Sequence, residues 1–336
     1  MQTSPVDWLN DRFVHSKAFR VYAFPTTSPA DTGAKRTLVS TYSKTASPLG
    51  WTTGGETAGN NVKAQYNPEG LKNPQSLPKP TANSEDAFDC PIDLSHEPSS
   101  YANASTVQVF YAVNILHDVF YLYGFDEASG NFQDGLGNDP VIASVQDGSV
   151  TDNASFGTPP DGESPIMRMH VWTGRTPHRD AGLDFDIIAH EFTHGVSSRL
   201  TGGPKNTDCL QTDEARGLGE GWSDIVAVVL KQRESHTRST DMVLGDYVDG
   251  KGIREFPYST NMTTNPTSYA MLAVNGTSSV HTVGLVWATM LYEVLWNLID
   301  ALGFSADLFA HDLSKGNSLF LQLLVDSFKL QKCNPT

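Results

Sequence analysis

Two histidines and a glutamate stand within five positions in the stretch AHEFTHG, near the middle of a chain of 336 residues. On an α-helix, residues four apart lie one turn apart on the same face, so His190 and His194 can direct their imidazoles to one point. Such a pair can hold a metal ion, and Glu191 between them is placed to reach a water molecule beside that ion. A solvated helix face could show the same pattern, so a further ligand is needed. Gly195, directly after the motif, favours close packing of a neighbouring element over room for a substrate.

A second group of acids follows in GEGWSD, where Glu220 and Asp224 again stand four residues apart. Catalytic zinc takes three protein ligands and leaves one position open for water. His190, His194 and Glu220 would supply those three ligands for one zinc ion per chain. A zinc-bound histidine usually gives its other ring N–H to a carboxylate, and Asp224 is the candidate for that partner. The two groups together disfavour the solvated-face alternative.

Helices must carry both groups. Around AHEFTHG, apolar residues recur every four positions from Ile188 to Val196, and Gly202 to Pro204 supply a stop, so the motif lies inside a helix. Two further helical runs cover 219–232 and 282–303, and the second is strongly apolar.

The first half of the chain has a different character. Short Val, Tyr, Thr and Phe runs in 20–60 predict antiparallel strands, whereas the Pro-, Asn- and Ser-rich 66–99 predicts a long surface excursion. Apolar residues at helical spacing over 105–125 predict a mostly buried helix, in which His117 has a structural role rather than a ligand role. The alternating stretch MRMHVW, 167–172, predicts a strand.

Strands before residue 180 and helices after it predict an α+β protein with two lobes. We place the β-rich lobe at 1–200, ending with the H-E-x-x-H helix, and the helical lobe at 201–336. The formal net charge of −15 disfavours nucleic acid or an anionic membrane surface as a partner. We expect no membrane partner, because no apolar run approaches the roughly 20 residues of a bilayer span. The start, MQTSPVDWLNDRF, lacks the apolar core of a secretory signal.

Three cysteines, Cys90, Cys209 and Cys333, allow at most one disulfide and leave at least one thiol. Four Asn-x-Ser/Thr sites are compatible with a secreted glycoprotein, although patterns this short also arise by chance. They begin at Asn103, Asn153, Asn261 and Asn275.

The stretch HEFTHGVSSRLTGGP followed by GLGEGWSD resembles the fungalysins, secreted fungal zinc metalloendopeptidases related in fold to thermolysin. The resemblance extends to 117–135, 146–172, 252–260 and 280–300, and so covers most of the chain. It implies a thermolysin-like fold of two lobes with the zinc cleft between them. It also implies polypeptide substrates, an extracellular monomer, and a precursor with an inhibitory pro-segment.

The resemblance also implies a role for individual residues. It assigns zinc to the two motif histidines and the GEGWSD glutamate, and it makes Glu191 the general base. His281 in VHTVG would steady the oxyanion of the tetrahedral intermediate, and Arg254 in GIREFPYST would donate to the substrate carbonyl. Asn153 and Ala154 in NASF would hydrogen-bond an extended peptide as an edge strand does.

The end of the chain departs from the family pattern. Fungalysins continue past KLQKCNPT to another cysteine, so we expect Cys333 to lack its partner and the chain to lack the family's C-terminal tail. Since the zinc site is complete by Glu220, this would affect stability and the cleft wall rather than metal binding.

Two other classes of protein share part of this pattern. A catalytically inactive binding or adhesion module should have lost a ligand or the base, and none is lost. A metal-dependent exopeptidase should carry a feature that recognises a chain terminus, and we see none. No pattern in the sequence predicts the cleavage specificity. The acidic stretch DYVDGKG does not predict a calcium site, because it suits a solvated turn equally well. The sequence therefore favours a zinc endopeptidase.

Overall fold

The computed structural model describes residues 17–52, 54–135, 137–274 and 279–336, so the starting stretch MQTSPVDWLNDRF and the Asn275 site lie outside the described residues. Within those ranges the strands are β1 Ala18–Tyr22, β2 Arg36–Val39, β3 Val62–Tyr66, β4 Ala87–Phe88, β5 Val141–Val145, β6 Ala154–Gly157, β7 Ile166–Met169, β8 Val171–Trp172 and β9 Arg179–Asp180. The α-helices are α1 Ala102–Leu122, α2 Phe185–Leu200, α3 Asp213–Lys231, α4 Asp246–Asp249, α5 Tyr269–Val274, α6 Val280–Leu302 and α7 Gly316–Leu330. Short 3-10 turns lie at Pro74–Ser76, Pro98–Tyr101, Glu127–Ser129, Ala181–Leu183 and Leu308–Ala310.

The larger sheet has the order β3-β5-β7-β6. β5 lies between parallel neighbours and is buried at every residue, as its run of apolar and small residues predicts. β6 pairs antiparallel with β7, with Ala154 opposite Met169 and Gly157 opposite Ile166. β6 is therefore one of the two edge strands of this sheet, and no strand of the described residues pairs with its outer edge.

A smaller sheet with the order β2-β1-β4 covers the N-terminal part. The predicted antiparallel pairing in 20–60 is confirmed for β1 and β2. The predicted excursion in 66–99 is also confirmed as largely irregular chain, although β4 within it joins β1 in parallel.

α1 is buried along nearly its whole length, because it is apolar on all sides and packs between the strands and α2. Most of its buried polar side chains have partners, among them Gln108, Asn114 and His117. The His117 ring contacts Asp118 Oδ1 through Nδ1 at 3.0 Å and the Gln133 amide through Nε2 at 2.9 Å. The structural role predicted for His117 is confirmed.

The α+β class is confirmed, with the strand-rich part first and the long helices after it. The most extensive helix contact joins α3 and α6. They approach closely at glycine: a Cβ on Gly221 would lie 2.8 Å from the Gly284 carbonyl oxygen. The contact brings the start of α6 to the helix that carries Glu220.

The prediction of one strand over 167–172 is wrong in one respect. The chain forms β7 and β8 with His170 between them, and the two strands belong to different sheets. His170 is buried, and its Nδ1 lies 2.7 Å from the Asp147 carbonyl oxygen. This contact breaks the alternation, so the following residues leave β7 and pair with β9.

α6 is long and apolar enough to cross a membrane by length and composition alone, which differs from the expectation of no such run. The core helix of a soluble protein passes the same test. In the structure, one face of α6, including Leu285, Tyr292 and Trp296, is buried, and the helix packs on α3 and α7.

The expectation that Cys333 lacks a partner is wrong, because Cys333 forms a disulfide with Cys209 across 124 residues of sequence. The segment after α7 returns to the loop before α3, where the Asn334 backbone N–H donates to the Cys209 carbonyl at 2.8 Å. Sequence spacing could not reveal this return. Cys90 is the free thiol.

A buried acid cluster stands where α2 begins. Asp184 and Asp186 are almost fully buried, and Lys231 Nζ donates to Asp186 Oδ2 at 2.7 Å and to Asp246 Oδ1 at 3.2 Å. Burial raises the pKa of Asp186 to about 6, although the charge of Lys231 opposes the shift. Burial and the charge of Asp186 raise the pKa of Asp184. Lys231 is thus the counter-charge for several acids.

We predict that Lys231→Met lowers the free energy of unfolding by about 3–5 kcal/mol at pH 7, because it leaves buried carboxylates without their cation. The deficit should shrink from pH 7 toward pH 5. The charge of Lys231 lowers the Asp186 pKa, so its loss raises that pKa further above about 6. The folded variant therefore takes up a proton at a higher pH than the folded wild type does, and a falling pH recovers part of its stability. Urea unfolding at both pH values measures this.

The matched control is Lys44→Met, which removes an exposed lysine and should change the unfolding free energy by less than about 0.5 kcal/mol. A Lys231→Met deficit below about 1 kcal/mol at pH 7 would contradict the proposed counter-charge role.

Candidate metal centre and cleft

α2 carries the two motif histidines from a well-defined start. The Asp184 side chain caps the helix by accepting from the Asp186 backbone N–H. One face of α2, including Ile188, Phe192 and Val196, is buried in the core. The other face carries His190 and His194 toward α3, so the amphipathic repeat in the sequence orients the motif.

The structure brings both histidines and Glu220 to one point. His190 Nε2 and His194 Nε2 lie 3.0 Å apart, and Glu220 oxygens lie 3.4 Å from His190 Nε2 and 3.5 Å from His194 Nε2. Ligand atoms about 2.0–2.2 Å from one tetrahedral ion stand about 3.3–3.6 Å from one another. The two distances to Glu220 fall in this range, and the two imidazole nitrogens lie slightly closer to each other. The three side chains therefore converge on one point and form a potential metal-binding group in the described part of the chain.

Asp224 supports this group from below. It is fully buried, and His190 Nδ1 contacts its Oδ1 at 2.8 Å. Arg254 Nε donates to Asp224 Oδ2 at 2.6 Å, and the Tyr258 hydroxyl donates to the same oxygen. The interaction fixes the His190 ring with Nε2 toward Glu220.

Arg254 bridges the two acids of α3. Its Nη2 donates to Glu220 Oε2 at 3.0 Å and to Asp224 Oδ1 at 2.9 Å. The family resemblance implied a position for Arg254 at the substrate carbonyl. The structure puts its nearly buried side chain in the lining of the cleft, and among the hydrogen bonds of the described residues Nη1 makes none. One end of the guanidinium is therefore free to face the cleft.

The pKa values of the two histidines shift in opposite directions. Burial lowers the pKa of His190, but hydrogen bonds with Asp224 and Glu220 outweigh burial and raise the pKa to about 10. Burial and the charge of His190 lower the pKa of His194 to about 4. Burial raises the pKa of Glu220, but His190 and Arg254 outweigh it and bring the pKa to about 2. Without a metal, His190 therefore carries the extra proton of this group, and a bound cation would displace it.

Glu191 lies beside this group and lines the cleft. It is buried, and burial raises its pKa to about 7 although the charge of His190 opposes the shift. A carboxylate with a pKa near neutrality can both take and return a proton at neutral pH.

The cleft in front of the group has a volume of about 590 Å³. One wall is the start of the edge strand, including Asn153, Ala154 and Phe156. Phe156 packs over Gly195, where a Cβ would come within 2.5 Å of the ring. The predicted reason for this glycine, close packing of a neighbouring element, is confirmed. It allows β6 to pack directly against α2.

His281 enters the cleft from the start of α6. Ser279 caps that helix by accepting from the Thr282 backbone N–H. The His281 side chain is 59% exposed, and its Nε2 lies 3.5 Å from Glu220 Oε2. The structure therefore brings His281 from α6 to the candidate metal group.

Several residues at and around the cleft were not identified from the sequence, among them Tyr258, Trp172 and Arg216. Tyr258 binds Asp224 although nothing in its surroundings marks it, and Trp172 lines the cleft from the short strand β8. Arg216 also lines the cleft. Its position four residues before Glu220 was a signal, because that spacing puts the two on one helix face.

Comparison with known proteins gives one family and several relatives. The family described as fungalysin metallopeptidase (M36) matches residues 18–336. The chain is 45% identical over 343 residues to "Extracellular metalloproteinase MEP" of Pyricularia oryzae and 43% identical over 347 residues to "Extracellular metalloproteinase mep" of Aspergillus fumigatus. It is 40% identical over 341 residues to "Extracellular metalloproteinase 1" of Arthroderma otae.

Each of these alignments covers 96% of this chain and 53–54% of the relative. The chain therefore spans about half the length of the curated relatives it matches.

Proposed function

The chain belongs to the fungalysin family of metallopeptidases, and on that premise we propose that it is a secreted zinc endopeptidase that hydrolyses internal peptide bonds of proteins. The observation that carries the proposal is the convergence of His190, His194 and Glu220 at 3.0–3.5 Å beside the buried Glu191. Relatives named extracellular metalloproteinases support both the activity and the secretion.

The chemistry divides between the metal and the chain. His190, His194 and Glu220 would hold the zinc ion, which would supply Lewis acidity toward water and the scissile carbonyl. The Glu191 carboxylate takes the proton of the attacking water and returns it to the leaving amide nitrogen. Glu191 is buried beside His190, His194 and Glu220, which supports this role because it can exchange a proton directly with a water molecule at the candidate metal group.

Two donors act on the substrate in this proposal. His281 Nε2 donates to the oxygen that gains charge as the carbonyl becomes tetrahedral. Arg254 donates through Nη1 to a substrate carbonyl while Nε and Nη2 keep the α3 acids in position. This second task of Arg254 supplements the one implied by the family resemblance.

Substrate backbone binding is proposed for the edge strand. Asn153 and Ala154 lie at the start of β6, whose partner on one side is β7 and whose other edge borders the cleft. An extended peptide added there would run past the metal group, as in β-strand addition. The zinc ligands come from both sides of residue 200, which supports a cleft between lobes of 1–200 and 201–336.

A monomer made with an inhibitory pro-segment completes the proposal by analogy with the family. An inactive binding module is disfavoured by the intact ligands and base. An exopeptidase would need a group that binds a chain terminus. Both alternatives differ from an endopeptidase in one assay.

The test is cleavage of a quenched-fluorescence peptide blocked at both ends, with and without a zinc chelator. We expect cleavage at an internal bond, its loss on chelation and its return when zinc is restored. Failure to cleave the blocked peptide while cleaving one with a free terminus would indicate an exopeptidase. No cleavage of either peptide by zinc-loaded protein would favour the binding module.

We predict that Asp224→Asn weakens zinc binding by about 10- to 100-fold, because the amide no longer gives His190, Arg254 and Tyr258 a charged acceptor. Competition with a chromogenic chelator measures the affinity. Tyr258→Phe, which removes one donor but keeps the charge, should weaken binding by less than about fivefold. Equal losses in the two variants would contradict a charge-based role for Asp224.

A further inference from the structure

An arginine stands at the mouth of the cleft. Arg216 lies in the first part of α3, four residues before Glu220 and eight before Asp224. The three residues therefore form one row on the helix face that meets the cleft. Helical side chains lean toward the N-terminus of their helix, so Arg216 extends away from the metal group into the outer cleft, which it lines.

The arginines of the cleft differ in their partners. Arg254 is tied to two carboxylates, whereas the exposed Arg216 donates to the neutral amide oxygen of Gln211 at 3.1 Å. Within the described ranges, Arg216 forms no ion pair with a carboxylate, although the chain carries a formal net charge of −15. A guanidinium without a carboxylate partner is suited to bind a carboxylate from outside the chain.

The two ends of the cleft can be told apart. Ile187 and Ile253 meet near Gly245, so the start of α2 and the segment that carries Arg254 form one end. Leu210 directly follows Cys209, and the Cys209 sulfur lies beside Gly202. Gly202 stands just past the end of α2. Leu210 and Arg216 therefore form the opposite end, with the metal group between the two.

β6 runs in the same direction as α2. The Asp152 backbone N–H donates to the Val171 carbonyl at 3.0 Å, which puts the start of β6 beside β8. β8 pairs with β9, and β9 leads through a short turn into the start of α2. Phe156 packs over Gly195, and the chain then reaches Pro159, whose carbonyl accepts from Arg199 near the end of α2. A peptide that pairs antiparallel with β6, the more stable pairing, has its N-terminal part at the Arg216 end.

We propose that Arg216 is a specificity-determining residue that binds an acidic side chain two or three residues before the cleaved bond. This rests on the proposed function. Four helical residues put about 6 Å along the axis between Arg216 and Glu220, and the arginine side chain reaches further outward. Two or three residues of extended peptide cover roughly 7–10 Å, which matches that span.

The experiment uses the zinc-loaded protein and a set of peptides blocked at both ends. Each peptide carries Glu, Gln or Lys at one of the three positions before or after a fixed cleavage site. We expect kcat/KM for Glu to exceed that for Gln by about fivefold at the second or third position before the bond. The preference should fall at high ionic strength because the pair is exposed.

Arg216→Gln should reduce this Glu-to-Gln ratio to about one, and Arg216→Glu should reverse the preference in favour of Lys. One zinc ion per chain in each variant reports an intact metal group. Lys35→Gln is the matched control, because it removes the same charge from an exposed lysine outside the cleft and should keep the wild-type ratio.

A ratio that Arg216→Gln leaves unchanged would overturn the proposal, and so would an acidic preference confined to positions after the bond. Wild-type protein that cleaves every peptide equally would overturn it while leaving the proposed function standing. Zinc-loaded wild-type protein that cleaves none of them would overturn both.

Discussion

Replacement of Glu191 by glutamine is expected to lower kcat/KM on a doubly blocked peptide by about 10³- to 10⁴-fold, while the protein keeps one zinc ion per chain. Glutamine preserves the size and shape of the side chain but cannot take a proton. Among the described residues no hydrogen bond joins the Glu191 side chain to His190, His194 or Glu220, so the amide should leave these three side chains in place. Initial rates and metal content measured on the same sample test both parts of the prediction.

The matched control is Glu85→Gln, which makes the same chemical change on an exposed residue and should keep the wild-type rate. Two results would contradict the proposed role of Glu191. A variant with more than about a tenth of the wild-type rate would indicate that another group takes the proton. A variant that loses zinc would indicate that Glu191 supports the metal group instead.

The part of the site that follows from helical periodicity was predictable from the sequence. Residues i and i+4 share a face in any α-helix, so the pairs His190–His194 and Glu220–Asp224 were legible before any fold was known. The structure brings His190, His194 and Glu220 together at 3.0–3.5 Å, as a shared ion would require. A spacing of 26 residues between His194 and Glu220 could not by itself show that the two helices meet.

The part of the site that depends on long-range packing was not predictable from the residues. Arg254 reaches α3 from a loop 30 residues further along, and its hydrogen bonds with Asp224 need a chain path that no local pattern encodes. The same holds for the disulfide, which closes a separation of 124 residues. Family resemblance supplied a role for Arg254, but not its bonds to the acids of α3.

Gly195 shows how one residue links the fold to the site. Its position inside α2 lowers the stability of that helix, because glycine is a poor helix former. The structure gives the reason, because the Phe156 ring occupies the space a side chain would need. The edge strand thereby stands close enough to the helix for one peptide to meet both the strand and the metal group.

Replacement of Glu220 by glutamine is expected to weaken zinc binding by more than the 10- to 100-fold typical of a supporting residue, because Glu220 is a ligand in the proposed site. The amide also removes the negative charge that faces His190 and Arg254. After dialysis, zinc should fall from one ion per chain to below about a tenth, and peptide cleavage should fall with it. Metal analysis beside the rate assay measures both.

The matched control is Glu214→Gln, an exposed acid in the first turn of the same helix, which should keep both zinc and activity. Added zinc should partly restore cleavage by Glu220→Gln but should not restore Glu191→Gln, since only the first variant is limited by metal occupancy. Full zinc retention by Glu220→Gln would remove Glu220 from the ligand set. The two variants together therefore separate the residue that holds the metal from the residue that moves the proton.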